Sequence, residues 1–414
     1  MNQKSALATV FLAVLIDLMG FGMILPLLPF YANAFHASPL AIGLLYSIYS
    51  LAQLIFSPIW GGLSDRVGRR PVMLLSTFGA AFAYLIFGLA HSLWLLFVSR
   101  LIAGIMGGNI STAQAYVADV TTPDERARGM GLIGAAFGIG FVMGPAMASV
   151  LIHPVFLKFL RIPLQNKYSI PGFFAAFLSL CSFLLVFFKL PETVQRAKED
   201  SQRILKTGIF TKNFWRSIFE EKTAGIKHLL PMLIGCIFLF SFAQSSLYSS
   251  FPLFCESTLG LSEEKIGILY AYLGLIAVLV QGGLIRILVK KFGEVRLFFI
   301  GTIFMVGGFA LVPMAHSESI LVIFLGLLAL GGSLTGPTLN SLISKEADPS
   351  KVGAALGTSQ GIAALGRVIG PTWGGLLYGL GAGVPFFATA SFLSLTIFVG
   401  NRLERYKRSS PHYF

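Results

Sequence analysis

A succession of long apolar stretches is the feature that most restricts what this chain can fold into. Twelve runs of about 18 or more mainly apolar residues follow one another between short polar connections. Only helices and closed barrels can cross a lipid bilayer, because every backbone amide there needs a partner within the protein. The runs do not alternate apolar and polar residues as barrel strands do. We therefore predict twelve transmembrane helices, near residues 6–30, 42–63, 72–90, 93–118, 130–152, 170–190, 229–255, 264–288, 296–315, 319–343, 353–379 and 384–401.

The composition supports an integral membrane protein. Hydrophobic residues make up 55% of the 414 residues and charged residues only 12%, and the mean hydropathy is +0.78. Soluble domains carry about 25% charged residues. The fold class predicted is therefore all-α, with multiple passes through a cell membrane.

The net charge of +13 is explained by where the basic residues lie. If both termini are cytoplasmic, most lysines and arginines fall in the inner loops and tails, as the positive-inside rule requires. The basic residues then indicate topology and contact with anionic membrane lipid, and we expect no nucleic acid partner. Three cysteines, Cys181, Cys236 and Cys255, lack metal-ligand spacing, so no metal site is expected.

One long charged segment divides the spans six and six. Residues 191–228 follow the sixth span and precede the seventh, and they begin with a proline. We predict a first six-helix bundle over 1–190, a cytoplasmic linker over 191–228, and a second bundle with a cytoplasmic tail over 229–414. The linker is expected to be either an amphipathic segment on the membrane surface or a solvated connection.

The same glycine spacing occurs once in each half. GLIGAAFGIGFVMGP and GTSQGIAALGRVIGP begin 226 residues apart, and each has glycine at its first, tenth and fourteenth positions before a proline. Small residues let membrane helices approach closely, and proline favours a kink, so we predict packing seams and hinges in two bundles related by internal repetition. Ordinary tight packing is the alternative. The matched residues are Gly131, Gly140, Gly144 and Pro145 in span 5 and Gly357, Gly366, Gly370 and Pro371 in span 11.

The loop between spans 2 and 3 reads GGLSDRVGRRPVMLL and fits the pattern G-x-x-x-D-R-x-G-R-R. It resembles the signature loop of the major facilitator superfamily (MFS). The glycine pattern of span 5 resembles the antiporter motif of that superfamily, with Ala148 and Ser149 where the motif has two glycines. Span 11 keeps both glycines, as Gly374 and Gly375.

Further motifs indicate a branch of this superfamily. Span 1 has Asp17 nine residues before Pro26, like the drug:proton antiporters, and Arg100 in LFVSRLIAGIMGG matches their basic motif in span 4. The run YVADVTTPDERARGMG is similar to the tetracycline exporters, although Ala83 stands before Tyr84 where those have an acidic residue. The resemblance implies the MFS fold, with twelve transmembrane helices in two pseudo-symmetric six-helix bundles. The missing acid favours a substrate other than tetracycline.

Charged residues within the spans are candidates for proton coupling. Asp17, Arg100 and Arg367 would each cost about 2.5–3.5 kcal/mol at a helix centre, so each must pair or line water. Desolvation favours a neutral carboxyl group, so Asp17 is predicted to take up the coupled proton, and a nearby Arg100 would favour its release. A static Asp17–Arg100 pair is the alternative.

The signature loop is predicted to act as a cytoplasmic gate. If spans 2 and 11 meet, as the resemblance implies, Asp65 would face the N-terminal end of span 11, where the helix dipole is positive. Arg69 and Asp119 would complete a charge cluster. A topology signal alone is the alternative for the arginines. The predicted gating residues are Gly61, Asp65, Arg66, Gly68, Arg69, Arg70 and Asp119.

Polar residues on or near spans 1, 4, 7 and 10 are candidates for lining a substrate cavity, among 38 phenylalanines and 11 methionines. They are Gln53, Asn109, Gln114, Gln244, Tyr248, Asn340 and Arg367.

These features predict a monomeric, proton-coupled secondary transporter that exports a small lipophilic or amphipathic substrate. It would use the proton gradient and no cofactor, and it would not be an enzyme. The alternative is an MFS carrier of a physiological metabolite or organic anion, working by antiport or symport, which Arg367 favours.

Overall fold

The computed structural model describes residues 3–159, 161, 163–193, 229–347 and 352–409, and within these ranges the regular structure is entirely helical. Twelve long helices correspond in order to the twelve predicted spans. They are α1 Gln3–Asn33, α2 Pro39–Val67, α3 Arg69–Gly88, α4 Leu93–Val120, α5 Pro123–Ile152, α6 Ser169–Lys189, α7 Leu229–Leu259, α8 Glu263–Phe292, α9 Glu294–Leu311, α10 Glu318–Glu346, α11 Val352–Tyr378 and α12 Val384–Ser409.

Eleven of these helices, among the described residues, are long and apolar enough to cross a membrane. The twelfth, α11, has 27 residues but includes seven glycines, Gln360 and Arg367, which lower its mean hydropathy. The prediction of an all-α, multi-pass membrane fold is confirmed.

Helix α4 is interrupted by a turn at Gly107 and Gly108. An added Cβ at Gly108 would lie 2.6 Å from Trp60 Cδ1, so α2 approaches closely there. The turn also leaves backbone carbonyls of α4 for other donors: Trp60 Nε1 donates to Ile105 O at 2.5 Å, and Gln53 Nε2 donates to Gly107 O at 3.0 Å. Side chains of α2 therefore satisfy the carbonyls at the break.

Serine side chains cap the helices that follow short loops. Ser38 accepts the Ala41 N–H at the start of α2 at 3.2 Å, and Ser92 accepts the Leu95 N–H at the start of α4 at 3.4 Å. Serine is a preferred N-cap because its side-chain oxygen satisfies a donor that the first helical turn leaves unpaired. These caps explain why the two helices begin where they do.

The chain divides into two compact units. Unit 1 comprises Met1–Lys206 and Leu261–Gly274, and unit 2 comprises Thr207–Gly260 and Leu275–Phe414. The N-terminal half of α8 thus belongs to unit 1, and its remainder, which contains a π-helical turn at Val280–Leu284, belongs to unit 2. The predicted linker lies outside the described residues beyond Thr193.

The helices pair in the same way within each unit. In unit 1, α1 packs against α5, and α3 packs against α6. In unit 2, α7 packs against α11, and α9 packs against α12. The first helix of each half therefore contacts the fifth, and the third contacts the sixth, which is the internal repetition that the glycine spacing predicted.

Candidate functional site

A small cavity lies among α1, α2, α3 and α4 in unit 1. Its volume is about 30 Å³, enough for one or two water molecules. The lining residues are Asp17, Leu18, Phe21, Tyr49, Ala80, Tyr84, Ala103, Met106, Gly107 and Ile110. The predicted proton-coupling residue Asp17 therefore lines the cavity, as does Gly107 from the turn that breaks α4.

Three of the ten residues that line the cavity are aromatic, and a further ring packs against one of them. Phe21 and Tyr49 stack with ring centroids 4.9 Å apart and planes inclined by 29°. Phe141 of α5 meets Phe21 edge-on, with centroids 5.9 Å apart. Small-molecule sites usually measure about 300–1,000 Å³, so this cavity holds water beside Asp17, and a substrate would need a wider opening of the same aromatic surroundings.

Arg100 is buried beside the cavity, with only 2% of its surface exposed. Its guanidinium carbon lies 5.0 Å from the centroid of the Phe87 ring and 5.7 Å from that of Tyr84. One terminal nitrogen donates to Ser99 Oγ at 3.1 Å, and Ser99 in turn donates to Ala83 O at 2.8 Å. The charge is therefore held by cation–π contacts and a hydroxyl group.

Tyr84 interacts electrostatically with both Asp17 and Arg100. The structure thus brings the two predicted proton-coupling residues to a single tyrosine of α3. The sequence drew attention to the alanine before this tyrosine, not to the tyrosine itself.

The other polar residues predicted for a cavity in unit 1 have different positions. Gln53 uses its side-chain amide to hold the broken backbone of α4. Gln114 is exposed, and the side chain of Asn109 lies outside what the structure describes. Of these three, only Gln53 has a described contact next to the cavity, at Gly107.

The predicted cavity residues of unit 2 form a second polar region. Arg367 of α11 acts electrostatically on Tyr248 of α7. The side chain of Gln244 packs against α10, where a Cβ added at Gly332 would lie 3.1 Å from Gln244 Nε2. The Asn340 Oδ1 atom is buried and has no hydrogen-bond partner among the described residues. These positions do not test whether these residues contact a substrate, so that role stays a prediction.

Arg69 joins three helices at the signature loop. It is 9% exposed, and its guanidinium lies 2.5 Å from Asp65 Oδ1 on α2 and 3.0 Å from Asp119 Oδ2 on α4. It also donates to Ser64 Oγ at 2.6 Å. The structure therefore assembles the predicted Asp65–Arg69–Asp119 cluster within unit 1, while the contact of Asp65 with α11 stays a prediction.

A residue that the sequence did not indicate, Glu192, caps α3. Gly68 has φ +107°, a conformation that favours glycine, and it opens the N-terminus of α3. The Glu192 carboxylate accepts the Arg69 N–H at 2.9 Å and the Arg70 N–H at 3.2 Å. The only sequence signal for Glu192 is an acid after the proline that ends α6.

The remaining residues of the signature loop have varied surroundings. Arg70 donates to Phe187 O of α6 at 2.6 Å. Arg66 is exposed, and a Cβ added at Gly61 would meet Ser111 Oγ at an ordinary 3.7 Å. The first glycine of the pattern therefore has no steric requirement in this structure.

The repeated glycines line the contact between the first and fifth helices of each half. An added Cβ would lie 2.6 Å from Leu18 Cβ at Gly140, and 2.7 Å from Met19 O at Gly144. In unit 2 the equivalent atoms would lie 2.8 Å from Phe238 O at Gly366, and 2.5 Å from Phe242 O at Gly370. Gly131 and Gly357 have no such neighbour within 4 Å. Close packing therefore requires the second and third glycines of the pattern and not the first.

Hydroxyl groups hydrogen-bond to the backbone near the two motif prolines. Ser249 of α7 donates to Pro371 O at 2.7 Å, and Ser245 donates to Gly366 O at 3.1 Å. In unit 1, Ser149 donates to Pro145 O at 3.0 Å. These bonds fix the backbone around Pro145 and Pro371, and their predicted hinge role stays a prediction.

The departure of span 5 from the antiporter motif is matched on a facing helix. Ser149 stands where the motif has glycine, and it faces Gly267 in the N-terminal half of α8, where an added Cβ would meet the Ser149 hydroxyl. About two turns further along α8, a Cβ added at Gly274 would lie 3.0 Å from Phe141 O. The glycines that permit this close approach are on α8.

Comparison with known proteins places this architecture in a family. The family model described as Major Facilitator Superfamily matches residues 10–371 and 282–411. The class D tetracycline resistance protein of Salmonella ordonez is 31% identical over 381 residues, which are 90% of this chain and 88% of that protein. Multidrug resistance protein 1 of Bacillus subtilis (strain 168) is 27% identical over 414 residues, covering 100% of this chain and 99% of that protein.

Solved structures agree with the same architecture. The crystal structure of the human organic anion transporter MFSD10 superposes with a TM-score of 0.68 at 26% identity, covering 97% of this chain and 100% of that one. A bacterial homologue of the lysosomal transporter Spinster, inward-facing and occupied, gives a TM-score of 0.77 at 15% identity over 97% of this chain and 96% of that one. The predicted resemblance to the branch of the tetracycline and multidrug exporters is confirmed, and the chain belongs to the Major Facilitator Superfamily of transporters.

Proposed function

We propose that this transporter exports lipophilic or amphipathic drugs in exchange for protons. The observation that supports this most is the position of Asp17, a carboxyl group on the wall of an aromatic-lined cavity with the buried Arg100 nearby. Relatives named for tetracycline and multidrug resistance favour drug efflux from a bacterial cell membrane.

Proton exchange would follow from competition at Asp17. A charged carboxylate among apolar rings attracts a cationic or hydrogen-bonding substrate, and protonation removes that attraction. By linkage, substrate binding then disfavours protonation to the same extent. A proton entering down its gradient would thus release the substrate, while Arg100 favours loss of the proton afterwards.

The cluster around Arg69 would gate the cytoplasmic side. Asp65 and Asp119 come from different helices and both contact Arg69, so the cluster stabilises one arrangement of α2, α3 and α4. Alternating access needs such a preference to amount to only a few kcal/mol.

A second candidate is a carrier of organic anions or a physiological metabolite. The observation that favours it is the pair of cations within the spans, Arg100 and Arg367, together with the similarity to a human organic anion transporter. In that case the substrate, and not a proton, would balance the positive charge of these two arginines.

Transport in proteoliposomes under an imposed pH gradient tests the proposal. The probes are ethidium as a lipophilic cation, tetracycline, and fluorescein as an organic anion. We expect gradient-dependent transport of ethidium, at least tenfold slower in Asp17→Asn and largely kept in Asp17→Glu. Equal rates in Asp17→Asn and wild type would contradict proton coupling, and transport of fluorescein alone would support the second candidate.

A further inference from the structure

Tyr84 of α3 lies near both charged residues of the site. Its side chain is 4% exposed and lines the same cavity as Asp17. Its ring centroid lies 5.7 Å from the guanidinium carbon of Arg100. A single aromatic side chain is therefore adjacent to the carboxyl group on one helix and to the buried cation on another.

The hydroxyl end of Tyr84 lies against α1. A Cβ added at Gly20 would be 2.8 Å from the Tyr84 hydroxyl oxygen and 2.9 Å from the ring. Gly20 is three residues after Asp17, so the two lie on one face of the helix. The absence of a side chain at Gly20 makes room for the hydroxyl group beside the face that carries Asp17.

The cavity can connect the hydroxyl group to the carboxyl group. Its volume of about 30 Å³ accommodates one or two water molecules, and Asp17, Tyr49 and Tyr84 supply the polar partners that a buried water requires. The Tyr84 hydroxyl can thus donate a hydrogen bond toward a charged Asp17 through such a water.

The electron density of the Tyr84 ring depends on the hydrogen bond that its hydroxyl group donates. A phenol that donates a hydrogen bond toward an anion becomes richer in electron density, and hydrogen-bonded groups polarise one another in a low dielectric. A richer ring attracts a guanidinium more strongly. Ionised Asp17 therefore tightens the contact between Tyr84 and Arg100, and protonated Asp17 loosens it.

Few other titratable groups could respond to the ionisation of Asp17. The described part of α5 beyond Arg128 contains no titratable side chain. The titratable side chains in the middle of the other helices packed around Asp17 are Tyr46 and Tyr49 of α2, Tyr84 of α3, Arg100 of α4 and Cys181 of α6. Tyr46 donates its hydroxyl group to Leu25 O at 2.5 Å, so it already has an acceptor on α1.

We propose that Tyr84 is a positioning residue that links the ionisation of Asp17 to the hold on Arg100. The inference rests on the proton coupling proposed above. The Tyr84 hydroxyl group donates a water-mediated hydrogen bond toward the Asp17 carboxylate, and the Tyr84 ring makes a cation–π contact with the Arg100 guanidinium.

Infrared titration of the Asp17 carboxyl group in reconstituted protein tests this link without any substrate. The difference from Asp17→Asn identifies the Asp17 band. In Tyr84→Phe the ring stays and the hydroxyl group is lost, so charged Asp17 loses a donor. We expect the titration midpoint to move to higher pH by about one unit, which corresponds to one hydrogen bond to a charged group. The pH of half-maximal ethidium transport should move with it.

Tyr31→Phe is the matched control. It also removes a buried hydroxyl group, one that donates to Ala90 O at 2.6 Å, but Tyr31 is not among the residues that line the cavity. Its midpoint should equal that of the wild type. Gly20→Ala displaces the Tyr84 hydroxyl without changing Tyr84, and should shift the midpoint in the same direction even if Tyr84→Phe is poorly folded.

The outcomes separate the two proposals. A midpoint in Tyr84→Phe and Gly20→Ala that stays within about 0.2 unit of the wild type would overturn the role of Tyr84, whatever is transported. A shifted midpoint without gradient-driven transport of any probe would support the link and contradict proton-coupled export.

Discussion

Replacing Gly144 by alanine should destabilise the first bundle, whereas the same change at Gly131 should stabilise it. The added methyl group at Gly144 would lie 2.7 Å from Met19 O and 2.8 Å from Gly22 Cα, which are backbone atoms that cannot move without separating α1 from α5. Overpacking of this kind costs about 1–3 kcal/mol, and alanine regains about 1 kcal/mol of helix propensity. Because the methyl group would meet backbone atoms, we expect the upper part of that range, about 2–3 kcal/mol, and therefore a net loss of about 1–2 kcal/mol.

Gly131 is exposed and has no neighbour within 4 Å, so Gly131→Ala should gain about 1 kcal/mol. For a bundle of this size, 1 kcal/mol shifts the unfolding temperature by about 2–4 °C. Thermal loss of helical circular dichroism in detergent should therefore fall by about 2–8 °C in Gly144→Ala and rise by about 2–4 °C in Gly131→Ala. In unit 2, Gly370→Ala and Gly357→Ala should differ in the same sense.

A Gly144→Ala protein at least as stable as Gly131→Ala would refute this reasoning. It would mean that α1 and α5 are not in close contact, and that the recurring spacing marks something other than packing. Transport measured on the same four proteins would then show whether the glycines matter for movement.

Two further predictions concern ends of helices. Glu192→Ala removes both acceptors at the start of α3. Hydrogen exchange at the amides of Arg69 and Arg70 should then accelerate about tenfold, as expected for the loss of a cap that contributes about 1–2 kcal/mol. Unchanged exchange would show that the cap is not formed. Lys167 Nζ lies 2.9 Å from Glu263 Oε1, both partly buried, and Lys167→Met should lower the unfolding temperature by about 1–3 °C. Glu263→Gln should be less harmful in the Lys167→Met background than in the wild type, and additive losses would exclude coupling of the pair.

The helices were predictable because their information is local. Apolar runs set their number, and polar residues such as Ser38 and Ser92 set their starts. The recurring glycines also indicated close packing at α5 and α11, but they did not identify α1 and α7 as the helices that pack there.

The partners within the site were not predictable, for two physical reasons. Glu192 and Arg69 are 123 residues apart, and only the folded positions of α3 and the end of α6 bring them together. Arg100 was expected to pair or to line water, whereas the rings of Tyr84 and Phe87 lie against its guanidinium. Nothing in the sequence distinguishes an aromatic residue of a membrane helix that contacts a cation from one that only packs.

The pairing of Ser149 with Gly267 changes how the antiporter motif should be understood. Close packing there requires that one of the two facing positions be glycine, and the glycine can be on either helix. Homologous transporters should therefore show the two positions covarying, with the small residue passing from one helix to the other. The double exchange Ser149→Gly with Gly267→Ser should be tolerated, whereas Gly267→Ser alone should not. A transporter that lacks the motif in one helix can therefore keep the tight crossing that the motif provides.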